Sequence, residues 1–242
     1  MKFTELDEKM RIFETANDRC VLPGMYMVAR LDGRHFHTLT KESGKFVAPF
    51  DTKFRDLMIE TTAYLMKDSG FNFIYGYTES DEISLLFSIE ASDFGRKLRK
   101  LNSILAGEAS AKFSLLYGDI GVFDCRISEL PHKNNVVDYF RWRNEDASRN
   151  ALNAWCYWTL RKEGQSKGQA TKALNGLSVS LKNELLFKHG INYNDLPLWQ
   201  KRGIGFCWEA FIRSGAERRR IKVDMELPIG NSYGDYINNL LR

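Results

Sequence analysis

Apolar positions recur along the chain with two different periods. Phe3, Leu6, Met10 and Phe13 fall at helical spacing and predict an amphipathic helix over Phe3 to Asn17. Met25 to Leu31 is an apolar and aromatic run ended by Asp32-Gly33, which reads as a strand meeting a turn. Thr38 to Pro49 is a polar loop carrying Gly44. Asp51-Thr52 opens a helix with Phe54, Leu57, Met58 and Leu65 on one face, and Asp68-Ser69-Gly70 ends it. Phe71 to Tyr77 then predicts a strand, Thr78-Glu79-Ser80-Asp81 a tight turn, and Ile83 to Ile89 the returning strand. Phe94 to Tyr117 predicts a long helix closed by Gly118, with a short strand over Gly121 to Ile127.

This order, βαββαβ, is the ferredoxin-like arrangement. A crossover helix makes the first two strands parallel, and the hairpin makes the third antiparallel to both. In that topology the third strand lies beside the first. The end of the first strand, with Asp32, therefore meets the start of the third, with Asp81.

The second half of the chain follows the helical period. Val136 to Leu160 predicts helix in two pieces, followed by helices over Lys167 to Asn175 and Ser178 to His189. Ile204 to Arg213 and Arg220 to Met225 predict a β-hairpin with Ser214-Gly215 near its bend. The Asn- and Gly-rich tail from Ile229 is expected to be poorly ordered until Tyr236. The expected class is α+β, a ferredoxin-like core with an appended helical region and a C-terminal β-hairpin.

Composition narrows the picture. The 242 residues are 43% hydrophobic and 13% aromatic, enough for a sizeable core. No apolar run approaches the roughly 20 residues of a membrane helix. The N-terminus carries acids and lacks an apolar stretch, so no secretory signal and a cytoplasmic location are expected. Cys20, Cys125, Cys156 and Cys207 are scattered, which favours reduced thiols over a zinc site or a disulfide framework. A net charge of +4 permits a nucleic-acid partner without requiring one.

The candidate chemistry centres on the two aspartates. Mg²⁺ takes hard oxygen ligands from few carboxylates and keeps positions open for phosphates, so Asp32 and Asp81 on one edge suit phosphoryl transfer. Each alone is equally a turn residue; the pairing is what points to a metal. Glu82 assists that site, orients a nucleotide or faces solvent. Backbone amides from Gly33 to His37 suit a triphosphate, as a nest does. His35 and His37 form an H-x-H pair with no third ligand nearby, which favours phosphate contact or aromatic packing over zinc. The basic run Arg96 to Lys100 suits phosphate or nucleic acid, or is a solvated face. Arg141-Trp142-Arg143 suits stacking on nucleic acid, whereas Trp155 and Trp158 read as core. Lys182-Asn183-Glu184 is a polar island between apolar helix positions, by default solvated.

At these residues the chain resembles the tRNA-histidine guanylyltransferase family and its 3′–5′ polymerase relatives. The resemblance rests on Arg30-Leu31-Asp32-Gly33-Arg34, Phe36-His37, Ser80-Asp81-Glu82, Lys182-Asn183-Glu184, Leu186-Phe187 and Asn192-Tyr193-Asn194, in that order. It implies a polymerase-palm core over 20–130, with 131–242 packed on it as one integrated domain and an N-terminal helix over 1–19. It implies two Mg²⁺ ions on Asp32, Asp81 and the Gly33 carbonyl, with Glu82 beside them as a catalytic carboxylate. It implies a nucleotide site of Asp32, Gly33, Arg34, His35, Phe36, His37, Asp51, Ser80 and Asp81. Arg30, Lys97, Lys100, Asn150, Lys182 and Asn183 match positions that meet phosphate or tRNA. ATP, GTP and other nucleoside triphosphates, tRNA and a homotetrameric assembly complete what the resemblance implies.

Two departures separate this chain from members that add G to tRNA-His. Ser148-Arg149-Asn150-Ala151 stands where those carry His-Ile-Asn-Asn, and Ala48 stands where the eukaryotic form has lysine. Both resemble the branch associated with templated repair of truncated tRNA 5′ ends. The expected activity is Mg²⁺-dependent nucleotide addition to tRNA 5′ ends in the 3′–5′ direction. Non-templated G addition to tRNA-His is the alternative within the family. A nucleotidyl cyclase, a 5′–3′ palm polymerase and a silent tRNA-binding module are the alternatives outside it.

Overall fold

The structure is a computed structural model and describes residues 2–41, 45–214 and 216–241. The loop glycine Gly44 and the bend glycine Gly215 lie outside the described residues. Six strands form a single sheet in the order β4-β1-β3-β2-β5-β6. They are β1 (Tyr26–Gly33), β2 (Phe73–Glu79), β3 (Glu82–Phe87), β4 (Phe123–Leu130), β5 (Ile204–Arg213) and β6 (Ala216–Asp224). Every neighbouring pair is antiparallel. The first four strands carry the ferredoxin-like order, and the C-terminal hairpin extends the sheet from the β2 edge.

Alternation along the strands divides the core. Ala29, Leu31, Ile83, Leu85 and Phe87 face one side, where α3 (Thr52–Asp68) and α4 (Leu98–Tyr117) pack. Val28, Tyr75, Tyr77 and Leu86 face the other side, covered by α5 (Lys133–Lys162) and α9 (Asn231–Leu240). The remaining helices are α1 (Phe3–Thr15), α2 (Phe36–Lys41), α6 (Lys167–Leu174), α7 (Val179–Lys188) and α8 (Leu198–Arg202).

Four expectations need correction. The loop expected from Thr38 begins inside α2, which runs to Lys41. The predicted break in the long helix is absent: α5 runs unbroken for 30 residues, about 45 Å at 1.5 Å per residue. Its polar middle is not a loop, because those polar groups are bonded to other elements. Asn144 Nδ2 donates to the Arg202 carbonyl at 2.9 Å, and Ser148 Oγ donates to the Lys201 carbonyl at 2.6 Å. The tail forms α9 well before Tyr236, because Tyr233 and Ile237 are buried and the Tyr233 hydroxyl lies 2.9 Å from that of Tyr75. The long helix expected from Phe94 starts only at Leu98. Phe94, Gly95 and Arg96 take left-handed φ of 51°, 60° and 58°, and this turn sends the Arg96 side chain inward.

Candidate active site

The two aspartates meet at one edge of the sheet. Asp32, near the end of β1, stands opposite Glu82 at the start of β3, and the Gly33 amide donates to the Asp81 carbonyl at 3.0 Å. The β2–β3 turn holds Ser80, next to Asp81, at a φ of 52°. Gly33 is required there, because a Cβ would stand 2.5 Å from the Phe36 ring. Asp32, Ser80, Asp81 and Glu82 border a cavity of about 340 Å³. Its far wall is aromatic, with Phe46, Phe50 and Trp199, and the Arg55 guanidinium lies 5.0 Å from the Trp199 ring centre.

Cations crowd the acidic edge. Arg126 Nη2 is 2.8 Å and Arg30 Nε 3.2 Å from one oxygen of Asp32. Glu82 is buried, and Arg143 of α5 grips it with two bonds of 2.7 Å. Burial pushes the Glu82 carboxyl above its usual range, against the pull of Arg143. Glu79, on the same wall, is pushed up from 4.5 to about 8, first by burial and then by the charge of Glu82. Arg143 therefore holds Glu82, so this carboxylate acts as a strut between β3 and α5 rather than as an open ligand.

The donor set suits a hard divalent cation. Among the described residues no group of three or more His, Cys, Asp or Glu side chains forms a ready metal cage. Two half-buried carboxylates bordering a cavity fit Mg²⁺, which keeps several waters and shares substrate phosphates.

Of the other expected site residues, Asp51 and Asn150 also line this cavity, and the rest scatter. The Arg34 amide is spent on the Val122 carbonyl at 2.7 Å, and that of Gly33 on Asp81, so the loop offers fewer open amides than the sequence suggests. His35, at a φ of 60°, leads into the first turn of α2, where amides of Phe36 and His37 lack helical partners. The Phe36 side chain is buried among Phe54, Phe113 and Phe123. Asp51 caps α3, accepting from the amides of Lys53, Phe54 and Val47 at 2.7, 3.2 and 2.8 Å. Burial raises its pKa, but the three amides outweigh that and hold it below the usual carboxylate range. His37, Asn150 and Lys182 line a second, open groove beside the cavity, whereas Asn183 bonds the Val179 carbonyl of its own helix at 2.9 Å.

Lys97 and Lys100 are not brought to the aspartates. Lys97 pairs with Asp18 at 3.4 Å, and the adjoining Arg96 bonds the Met25 carbonyl at the opposite end of β1. Asp32 lies seven steps along the chain from Met25, about 23 Å at 3.3 Å per step. Sequence reasoning missed Arg126 and gave Arg143 to nucleic-acid stacking. The one available signal was that a buried glutamate starting a strand needs a cationic partner.

The family model described as tRNAHis guanylyltransferase matches residues 7–131, and the C-terminal domain model of the same family matches 134–227. The tRNA(His) guanylyltransferase of Debaryomyces hansenii is 33% identical over 209 residues, covering 81% of this chain and 77% of the relative. That of Candida glabrata is 31% identical over 196 residues, covering 76% and 82%. A bacterial tRNA(His) guanylyltransferase-like protein solved in complex with GTP superposes with a TM-score of 0.78 at 31% identity, over 98% of this chain and 99% of that one. The crystal structure of the Saccharomyces cerevisiae enzyme gives 0.73 at 26% identity, over 87% and 95%.

Proposed function

The chain belongs to the tRNA(His) guanylyltransferase family, and from that premise we propose that it extends tRNA 5′ ends in the 3′–5′ direction by Mg²⁺-dependent, templated addition. Membership makes it a nucleotidyltransferase acting on tRNA; direction, templating and metal are the proposal. The observation that carries it is the pair Asp32 and Asp81, joined across β1 and β3 at the mouth of one cavity.

Asp32, Asp81 and the Gly33 carbonyl would hold two Mg²⁺ ions, which supply charge neutralisation at the triphosphate and at the attacking hydroxyl. The 3′-hydroxyl of an incoming nucleoside triphosphate attacks the α-phosphorus of an activated RNA 5′ end. On a triphosphorylated end, the new O–P bond forms as the bond to pyrophosphate breaks. Arg30 and Arg126, already against Asp32, are placed to meet phosphate oxygens once a cation takes that carboxylate. Arg143 keeps Glu82 fixed and so anchors α5 at the reacting edge. The aromatic wall of Phe50 and Trp199 suits a purine base, and ATP or GTP is the expected nucleotide. If Lys97 and Lys100 meet tRNA, they do so far from the reacting end.

Two features favour templated repair over obligate G addition. Ser148 stands where the histidine would be, and its hydroxyl is tied to the Lys201 carbonyl. Ala48 offers no cation beside the cavity. An assembly of several copies is supported by α1, where Phe3, Leu6, Met10 and Phe13 are all exposed on one stripe.

The test uses two 5′-triphosphorylated substrates, a tRNA lacking its first nucleotide and tRNA-His without its extra G, with each nucleoside triphosphate in turn. Only the nucleotide that completes the acceptor stem should be added, and only to the truncated tRNA. G added to tRNA-His whatever the opposing base would overturn the templated reading. A cyclic nucleotide, a lengthened 3′ end or no product would overturn 5′ extension itself.

A further inference from the structure

A second concavity adjoins the cavity, and the reaction above uses little of it. One face of α5 presents Asn150, Asn153 and Tyr157 at helical spacing. Across from it, α6 and α7 bring Lys167, Lys172 and Lys182 to the same groove. The groove encloses about 1030 Å³, against about 340 Å³ for the catalytic cavity. Asn150 and Ala154 line both spaces, so the two are continuous.

Its lining is selective. The chain as a whole nearly balances 35 Lys and Arg against 31 Asp and Glu. Yet no acidic side chain lines this groove among the described residues, while three ammonium groups and several carboxamides do. Cations and amide donors without acids suit a string of phosphates, and a tyrosine ring beside them suits a base face. The lining of α5 from Asn150 to Trp158 spans about 12 Å at 1.5 Å per residue, long enough for more than one nucleotide of a strand. A single triphosphate in the catalytic cavity would not fill this length.

We infer that the α5–α6–α7 groove is the track for the RNA strand whose 5′ end is extended. Lys172 meets its phosphates beyond Lys182, Asn153 donates to a phosphate or sugar oxygen, and Tyr157 packs on a base. The inference rests on the reading that the substrate is a tRNA 5′ end. It adds α6, a helix to which no other role has been given, as the outer wall of the RNA path.

Lys172 is exposed on a surface helix, so its replacement leaves the fold intact. The experiment measures binding of a 5′-triphosphorylated tRNA lacking its first nucleotide, by fluorescence anisotropy over a salt series, without turnover. K172A should weaken binding severalfold for tRNAs of different sequence and lower the slope of log K against log salt by about 1. K172R should restore both, and Y157A should weaken binding with the slope unchanged. The KM for the incoming nucleotide at saturating RNA should not move in K172A. Unchanged RNA binding and slope in K172A would overturn the inference. So would a raised nucleotide KM with RNA binding intact, which would make the groove a seat for a free triphosphate. A wild-type protein that binds tRNA through this groove but extends no 5′ end would defeat the proposed function and leave the groove standing.

Discussion

At one end of the sheet charged side chains face a cavity; at the other they face the protein's own backbone. Asp32 and Asp81 border open space, with Arg30 and Arg126 beside them on a solvent-reached edge. Near the start of β1, the Arg96 guanidinium is buried and bonds the carbonyls of Met25, Ile89 and Ala91 at 2.5, 3.3 and 3.3 Å. Its neighbours Lys97 and Arg99 both pair with Asp18, and the bond from Arg99 holds that carboxyl below its usual range. Both ends look alike in sequence, as short charged runs beside apolar strands. They differ in the kind of partner: side chains at the cavity edge at one end, buried backbone carbonyls at the other. A charge already matched by backbone carbonyls contributes to stability, and one held at an open edge by exchangeable partners is available to substrate.

That contrast can be broken by substitution. The largest effect is expected at the open end, where D81A should lower 5′ extension at least about a thousandfold, the scale of losing charge stabilisation in phosphoryl transfer. Single-turnover extension reads it, with circular dichroism showing the fold retained. Extension at the wild-type rate would remove Asp81 from the chemistry. At the closed end the expectation reverses. R96A strands three carbonyls and should cost about 3 kcal/mol of stability at about 1 kcal/mol each, read by urea denaturation. Its folded fraction should extend RNA at the normal rate, and a selective loss of kcat would show that the closed end is not purely structural.

The smallest and sharpest effect concerns Glu79. Its pKa rises from 4.5 when unfolded to about 8 when folded, so between these values the native state binds more protons than the unfolded one. Stability of the metal-free protein should therefore fall as pH rises from 4.5 through 8 and level off above. E79Q should flatten that slope, read as the melting temperature against pH in chelator. An unchanged slope would place the titration on another group.

Much of the fold was legible in the amino-acid order. The 2-residue and 3.6-residue periods locate most strands and helices, and the topology they imply places Asp32 beside Asp81. These are local or nearly local properties: a hairpin and a crossover leave the third strand few places to go. The left-handed turn before α4 was missed because the pull on Arg96 comes from Met25, 71 residues away. Unbroken α5 was missed because its polar middle is satisfied by Glu82, Lys201 and Arg202, which hydropathy along the helix does not register.

The sequence by itself determined the α+β order, the antiparallel meeting of two aspartates and the kinship that names their chemistry. Tertiary structure decided the fate of the other candidates. The Phe36 side chain went to the core, Asp51 caps a helix at the wall of the cavity, Glu82 was paired with Arg143, and Lys182 was set in a groove with Lys167 and Lys172. The physical reason is one of range. Periodicity and turn chemistry act between neighbours, whereas burial and ion pairing depend on which distant side chain arrives, and that is fixed only when the helices close over the sheet.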